Sequence, residues 1–78
     1  MEGKALELFR KAVTGSYDEL RIYGDWYASM EVFGLDYESA GDLTNREKEN
    51  LIGKHSEEYK SLWQDTLFPE WKREHNLA

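Results

Sequence analysis

Oxygen-bearing side chains recur between Asp36 and Glu47 at spacings that could hold a divalent cation. Asp36 and Glu38 stand two residues apart, and Gly41 follows where a chain could turn sharply. Thr44 and Glu47 supply further oxygen atoms. Hard cations such as Ca²⁺ take about six to eight oxygen ligands from segments of this kind. The chemistry that these residues suggest is therefore calcium binding.

This segment resembles the calcium-binding loop of EF-hand proteins. Counted from Asp36, it has carboxylates at positions 1 and 3, Gly at 6, Thr at 9 and Glu at 12, where a bidentate ligand is expected. It departs from the EF-hand pattern in two places, since Ala40 replaces an oxygen ligand and Glu38 is longer than the usual Asp or Asn. EF-hands generally occur in pairs, but residues 1–35 contain no second loop of this type.

An acidic connector followed by a helix cap explains the same residues without a metal. Thr44 and Glu47 have the spacing of a capping box, in which each side chain accepts a hydrogen bond from a backbone N–H at a helix start. We therefore predict no metal site and no cofactor. A weakly calcium-responsive protein is kept as an alternative.

The histidines offer little other chemistry. His55 and Glu58 have the i, i+3 spacing of carboxylate-bridged metal sites, but such sites need a second pair on a facing helix. The other histidine, His75, lies in a charged tail beside Glu74. We predict that His55 is a hydrogen-bonded core residue. No Ser is placed with a His and a carboxylate, and a small chain rarely builds a deep dry pocket, so we expect a non-enzymatic protein.

Negative charge is concentrated in the middle of the chain. Residues 22–45 contain no Lys or Arg, whereas acids and bases nearly balance on both sides, so this segment carries most of the net charge of −6. We call residues 22–45 the acidic segment; its five carboxylates are Asp25, Glu31, Asp36, Glu38 and Asp42. Charge of one sign in one place attracts a basic partner. A pI near 4.8 argues against direct binding to nucleic acid or an anionic membrane.

Composition also bounds the fold. Without Cys, the chain has no disulfide, so its fold must rest on an apolar core or on a partner. Residues 1–13 mix charges with apolar residues, and no run approaches the ~20 apolar residues of a membrane span. We predict a cytoplasmic protein whose residues 1–78 form one domain.

Apolar spacing predicts the first two helices. Residues 2–13 are predicted to form a short amphipathic helix. Ser16 and Glu19 then have capping-box spacing, which predicts a second helix through Phe33 that ends at Gly34. Residues 35–42 are predicted to be a loop.

A third helix is predicted over residues 45–67, followed by a short segment. Its core-facing residues are Leu51, Ile52, His55, Tyr59, Leu62, Trp63 and Thr66. Pro69 should end this helix near Leu67 and begin a final helical turn. Gly24 and Gly53 fall inside helices and are interpreted as tolerated flaws. The predicted fold is all-α, with three main helices and a short fourth helical segment after Pro69.

The second helix has more apolar surface than one neighbour requires, since its apolar arc spans about 160°. We expect part of it, with the acidic residues, to form a partner-binding surface made of Ile22, Asp25, Trp26, Glu31, Phe33, Asp36, Tyr37, Glu38 and Asp42. Aromatic anchors rimmed by polar residues are typical of binding hot spots.

The predicted function is a small acidic protein-interaction module that modulates or inhibits a larger protein with a basic surface. In composition it is similar to accessory proteins of phages and mobile elements. The alternatives are self-association as a homodimer through the same surface and mimicry of a nucleic acid by the carboxylates.

Overall fold

The computed structural model describes residues 3–77, and their regular structure is entirely helical. The elements are α1 (Gly3–Thr14), α2 (Tyr17–Phe33), α3 (Tyr37–Gly41), α4 (Asn45–Lys54), α5 (Ser56–Leu62), a π-helical turn (Trp63–Leu67) and α6 (Phe68–Glu74). The all-α prediction is confirmed. The predicted arrangement of three main helices and a short fourth segment is too simple for this set of elements. Glu2, where the first predicted helix begins, lies outside the described residues. Between residues 3 and 77 no helix combines the length and apolar character needed to cross a bilayer.

Both capping boxes form as the sequence predicts. The backbone N–H of Ser16 donates to Oε1 of Glu19 at 2.9 Å, and the backbone N–H of Glu19 donates to Oγ of Ser16 at 3.2 Å. Thr44 and Glu47 make the same two bonds at the start of α4, at 3.0 and 3.1 Å. Gly34 ends α2 in the left-handed conformation, with a φ of 72°. These helix starts and this helix end are therefore set by local sequence.

The predicted loop after Gly34 is wrong, because this segment forms the short helix α3. Oδ1 of Asp36 accepts a hydrogen bond from the backbone N–H of Ser39 at 2.8 Å and so caps the helix. The indole N–H of Trp26 donates to the carbonyl of Tyr37 at 2.8 Å and attaches α3 to α2. An isolated helix of this length is unstable, so it depends on this tertiary contact.

The predicted third helix is broken at His55, which has a φ of −123° and a ψ of 33°. Neither α4 nor α5 contains a buried residue. The expected core face over residues 45–67 is therefore right only in part, since Leu62 and Trp63 pack against the core while the other residues named for it do not belong to the core cluster. His55 is a partly exposed residue whose Nδ1 lies 3.3 Å from Oε1 of Glu58, and it is not in the core. The apolar spacing does not reveal the break, because one non-helical residue leaves the pattern on either side unchanged.

The core lies between α1 and α2 and is closed by the π-helical turn. Its buried residues are Ala5, Leu8, Ala12, Val13, Leu20, Tyr27 and Leu67. Leu67 has no exposed surface and is the contribution of the C-terminal half to this cluster. Most of the buried apolar surface is therefore supplied by the first two helices, while α3, α4 and α5 form an outer layer.

The helix continues through Pro69, where the sequence predicted an end near Leu67. In a regular α-helix, a proline ring collides with the carbonyl four residues earlier, and its missing N–H breaks a bond. Here the backbone N–H of Phe68 donates to the carbonyl of Trp63, five residues back. This wider turn accommodates the proline, so the helix passes into α6 and runs to Glu74.

Gly24 is not a tolerated flaw, because it makes room for the indole of Trp63. A Cβ atom at Gly24 would lie 2.7 Å from Cη2 of Trp63, which is closer than carbon atoms can pack. Gly53 differs, since a Cβ atom there would meet nothing within 4 Å. The absence of a side chain is therefore needed at the first position and not at the second.

These two glycines give a matched test of the packing. Gly24→Ala should destabilise the protein by ~1–3 kcal/mol, because overpacking against the indole of Trp63 outweighs the helix propensity of Ala. Gly53→Ala should stabilise it by up to ~1 kcal/mol. Urea unfolding of both variants measures the difference. A midpoint that rises in Gly24→Ala as it does in Gly53→Ala would show that Trp63 does not pack tightly against Gly24.

Candidate functional site

An open cleft of about 1050 Å³ runs along one side of α2. The opposite walls come from α3, the segment that leads into α4, and the α5–α6 region. Its aromatic lining residues are Tyr17, Trp26, Tyr59, Trp63 and Phe68. Its aliphatic and small lining residues are Ile22, Ala40, Gly41 and Leu43, and its charged ones are Arg21, Asp25 and Lys48. The cleft combines an apolar lining with a few charged groups, as binding clefts generally do.

Asp25 connects three helices inside the cleft. Its Oδ2 pairs with Nζ of Lys48 on α4, and its Oδ1 accepts a hydrogen bond from the Tyr59 hydroxyl on α5 at 2.7 Å. The side chains of Asp25 and Lys48 are only 23% and 30% exposed. The sequence placed Asp25 among the partner-binding carboxylates, but the structure places it in an internal ion pair that neutralises its charge.

Tyr59 is held in its protonated form. Burial raises its pKa to about 12, with further contributions from the hydrogen bond to Asp25 and the negative charge of that carboxylate. The indole N–H of Trp63 faces the same hydroxyl and acts in the opposite direction, without completing a hydrogen bond of good geometry. The phenol therefore serves as a hydrogen-bond donor at neutral pH and is poorly suited to act as a base.

Trp26 forms a rigid wall of the cleft. Its ring stacks on that of Tyr37 with centroids 4.6 Å apart and an interplanar angle of 28°. On α3, a Cβ atom at Gly41 would lie 2.7 Å from Cζ2 of Trp26, so the indole occupies a notch in that helix. With its N–H bonded to the carbonyl of Tyr37, the ring is fixed in position. Trp26 and Tyr37, both predicted to bind a partner, thus contact each other within the fold, and Trp26 also faces the cleft.

Sequence reasoning missed Trp63 and Phe68 as cleft residues. They follow the acidic segment by many positions, and their ring centroids lie 5.1 Å apart across the π-helical turn. The available signal was Pro69, because a proline inside an otherwise helical pattern can mark a widened turn. Arg21 was also missed, since it lies just outside the acidic segment.

Four carboxylates of the acidic segment remain exposed, and we call them the acidic edge: Glu31, Asp36, Glu38 and Asp42. Within residues 3–77 none of them forms an ion pair. Hydrogen bonds from the backbone and side chain of Ser39 lower the pKa of Asp36, so it stays ionised. The last turn of α2 contains no basic residue, so the negative end of its dipole adds to this field.

The remaining predicted site residues have contrasting positions. Ile22 projects from α2 at the cleft with 63% of its surface exposed. Phe33 stacks on Tyr59 with centroids 6.0 Å apart and an interplanar angle of 4°, so it joins α2 to α5. The structure therefore brings Ile22 and Trp26 together in the cleft, and it leaves Phe33 outside the lining.

The residues that resemble a calcium loop are used as helix caps. The carboxylate of Asp36 accepts a hydrogen bond from the backbone N–H of Ser39 at the start of α3. The carboxylate of Glu47 accepts one from the backbone N–H of Thr44 at the start of α4. Gly41 lies in helix α3 without the positive φ that the central glycine of such a loop adopts. Across the described part of the chain, no three His, Asp or Glu residues cluster as metal ligands would.

The pKa of Tyr59 predicts a stability change at high pH. The pKa of the unfolded tyrosine is ~10 and that of the folded one is about 12, so the stabilising effect of Tyr59 is complete below pH ~10 and is lost as the pH rises towards 12. Urea unfolding and absorbance titration should both show this late step. Tyr59→Phe should remove most of it and leave the part due to Tyr27, whose pKa is also raised by burial and by the charge of Glu31. Tyr17→Phe, on a half-exposed ring, should retain the whole step. A late step of unchanged size in Tyr59→Phe would contradict this assignment.

Calcium titration checks the capping interpretation. We expect no binding at micromolar Ca²⁺, because Ala40 lacks an oxygen and the end carboxylates cap helices. Glu47→Gln should leave stability nearly unchanged, since Gln also completes a capping box. Micromolar binding that Glu47→Gln abolishes would instead make the segment a calcium site.

Comparisons with known proteins give no functional lead. No protein-family model matches the sequence, no curated protein is significantly similar to it, and no solved structure matches it. The cleft and the acidic edge are therefore interpreted from their own chemistry.

Proposed function

We propose that this protein is a non-enzymatic interaction module that binds a larger protein through a basic surface on that partner and thereby modulates or inhibits it. The acidic edge makes the first contact, and the neighbouring cleft supplies apolar contact area. In this proposal the protein acts in the cytoplasm, as small acidic accessory proteins of phages and mobile elements do.

The observation that carries the proposal is the unequal use of the five carboxylates in the acidic segment. Asp25 is neutralised by Lys48, while the four carboxylates of the acidic edge have no cationic partner among the described residues. Exposed charges of one sign repel one another and slightly destabilise a small domain. Their concentration next to an aromatic cleft supports a role in attracting a partner.

The cleft chemistry favours binding over catalysis. Tyr59 remains protonated at neutral pH, and Asp25 is occupied by two hydrogen-bonding partners. A general base needs a free acceptor near its substrate, and a nucleophile needs an activating base. The rigid Trp26 ring suits a binding surface, because little side-chain entropy is lost when it is covered.

The test begins with affinity purification from the native host and identification of the co-purifying proteins by mass spectrometry. Association with the main partner is then measured at several salt concentrations. Neutralising Asp36, Glu38 and Asp42 together, as Asp36→Asn, Glu38→Gln and Asp42→Asn, should slow association about tenfold or more and flatten its salt dependence. Asn at position 36 preserves the helix cap, so the fold should be retained.

A matched control changes the net charge equally at another place. Glu49, Glu57 and Asp65 are exposed carboxylates outside the acidic segment, and their neutralisation should leave association nearly unchanged. Equal slowing in both triple variants would show that only net charge matters and would contradict a defined acidic surface. Displacement of the partner by nucleic acid would instead favour mimicry of a nucleic acid.

A further inference from the structure

We propose that α4 is a lid of the cleft, which detaches from α2 and unwinds while the other helices stay folded. The ion pair between Lys48 and Asp25, which we call the latch, holds this lid closed. The motion belongs to the free protein and needs no partner, so it goes beyond the proposed function. Three features carry it: the position of α4 outside the core, the breaks in the helix at both of its ends, and the separate attachments of its neighbours.

Helix α4 makes little apolar contact with the rest of the protein. None of its residues, Asn45–Lys54, is buried, and none packs against the core cluster. Its half-buried apolar residues, Leu51 and Ile52, also lie outside that cluster. Elements with few buried apolar contacts open with a lower free energy than the core of the same domain. We therefore expect α4 to leave its place far more often than α1 and α2 separate.

The latch is the polar attachment of α4 to α2. Lys48 and Asp25 both line the cleft and are mostly shielded from water, so their attraction is screened less than that of an exposed pair. Within residues 3–77, no other ion pair or side-chain hydrogen bond joins α4 to another helix. The closed position of the lid therefore depends on one contact between two side chains.

The regular helix is interrupted on both sides of α4. Residues 42–44, which connect it to α3, are not helical, and His55 separates it from α5 with a φ of −123° and a ψ of 33°. The capping bonds between Thr44 and Glu47 lie within the segment itself and do not attach it to the core. Changes of backbone angle at these two places would move α4 without breaking a helical hydrogen bond in α3 or α5.

The neighbours of α4 have attachments that do not pass through it. On α3, Tyr37 stacks on Trp26 and accepts the hydrogen bond of its indole N–H. On α5, Leu62 packs against the core and Tyr59 stacks on Phe33. Both helices therefore stay in place when α4 leaves.

Opening changes the chemistry of the cleft. When Lys48 leaves, the carboxylate of Asp25 keeps the hydrogen bond from the Tyr59 hydroxyl but loses its cation. The acidic segment then has a fifth carboxylate without a cationic partner, and the cleft lacks one wall. A detached α4 has ten residues, and isolated helices shorter than ~12–15 residues are marginal in water. The open lid is therefore expected to unwind.

Native-state hydrogen exchange, followed by NMR, tests the lid. The backbone amides of residues 49–54 form their hydrogen bonds inside α4, so they exchange when it detaches and unwinds. They should share one opening equilibrium, about tenfold or more above that of the core amides of Leu8 and Tyr27. Low concentrations of urea should change this equilibrium little, because the opening exposes little surface.

Variants of the latch test its role. Lys48→Met should raise the opening equilibrium of α4 about tenfold or more, because the half-buried carboxylate loses its cation. Asp25→Asn should act similarly, and Lys48→Met added to it should have little further effect, since the pair is already lost. Lys54→Met is the matched control. Lys54 is an exposed residue of the same helix with no ion pair to the residues described, so its replacement should change the opening far less.

Val13→Ala distinguishes a lid from unfolding of the whole domain. Val13 is 3% exposed in the core, and its truncation should accelerate exchange at Leu8 and Tyr27 about tenfold or more. The opening equilibrium of α4 should stay the same, because the core is intact both before and after the lid opens. Equal acceleration of the α4 amides would show that α4 opens only with the domain and would overturn the lid.

Two further results would also overturn this proposal. Exchange that is graded from the ends of α4 and insensitive to Lys48→Met would show fraying, and equal effects of Lys48→Met and Lys54→Met would show that the latch does not hold the helix. The proposed function fails separately. A partner that associates through the acidic edge while α4 stays closed would overturn the lid alone, whereas an opening α4 with no effect of the triple neutralisation on association would overturn the proposed function alone.

Discussion

The ion pair and hydrogen bond at Asp25 determine whether this chain has a cleft at all. Helix α4 contains no buried residue, so it has no apolar anchor of its own in the core. Its attachment to α2 rests on the contact between Lys48 and Asp25, while Tyr59 brings α5 to the same carboxylate. Removal of one member would leave a partly buried polar group without its partner, which costs more than the net value of the bond. One carboxylate therefore positions two walls of the cleft.

The rest of the outer layer depends on aromatic rings that fit against glycines. Trp63 packs where Gly24 has no side chain, and Trp26 packs in the same way at Gly41. A large ring removes about 150–250 Å² from water, which a small chain without disulfides needs. These contacts also fix the rings that line the cleft. The same packing therefore stabilises the fold and prepares the surface proposed to bind.

Local features of the fold could be predicted from the sequence, and long-range contacts could not. The bonds between Ser16 and Glu19 join residues three positions apart, so spacing alone reveals them. The bond between Tyr59 and Asp25 joins residues thirty-four positions apart, and no local pattern encodes it. A free carboxylate and a paired one look alike in sequence, so the prediction grouped Asp25, which is paired with Lys48, with the four exposed carboxylates of the acidic edge. The break at His55 was missed for a different reason, since one non-helical residue leaves the apolar spacing on either side unchanged.

The carboxylates of the acidic segment differ in whether a lysine pairs with them. Lys48 of α4 neutralises one acidic residue of α2, whereas no lysine or arginine of residues 3–77 forms an ion pair with the acidic edge. Lys4 lies 4.9 Å from the ring centroid of Tyr37 and so contacts the face of an aromatic ring beside the acidic edge. The field of the edge therefore extends into solvent, and a partner that supplies positive charge and apolar surface together would satisfy both features of this face at once.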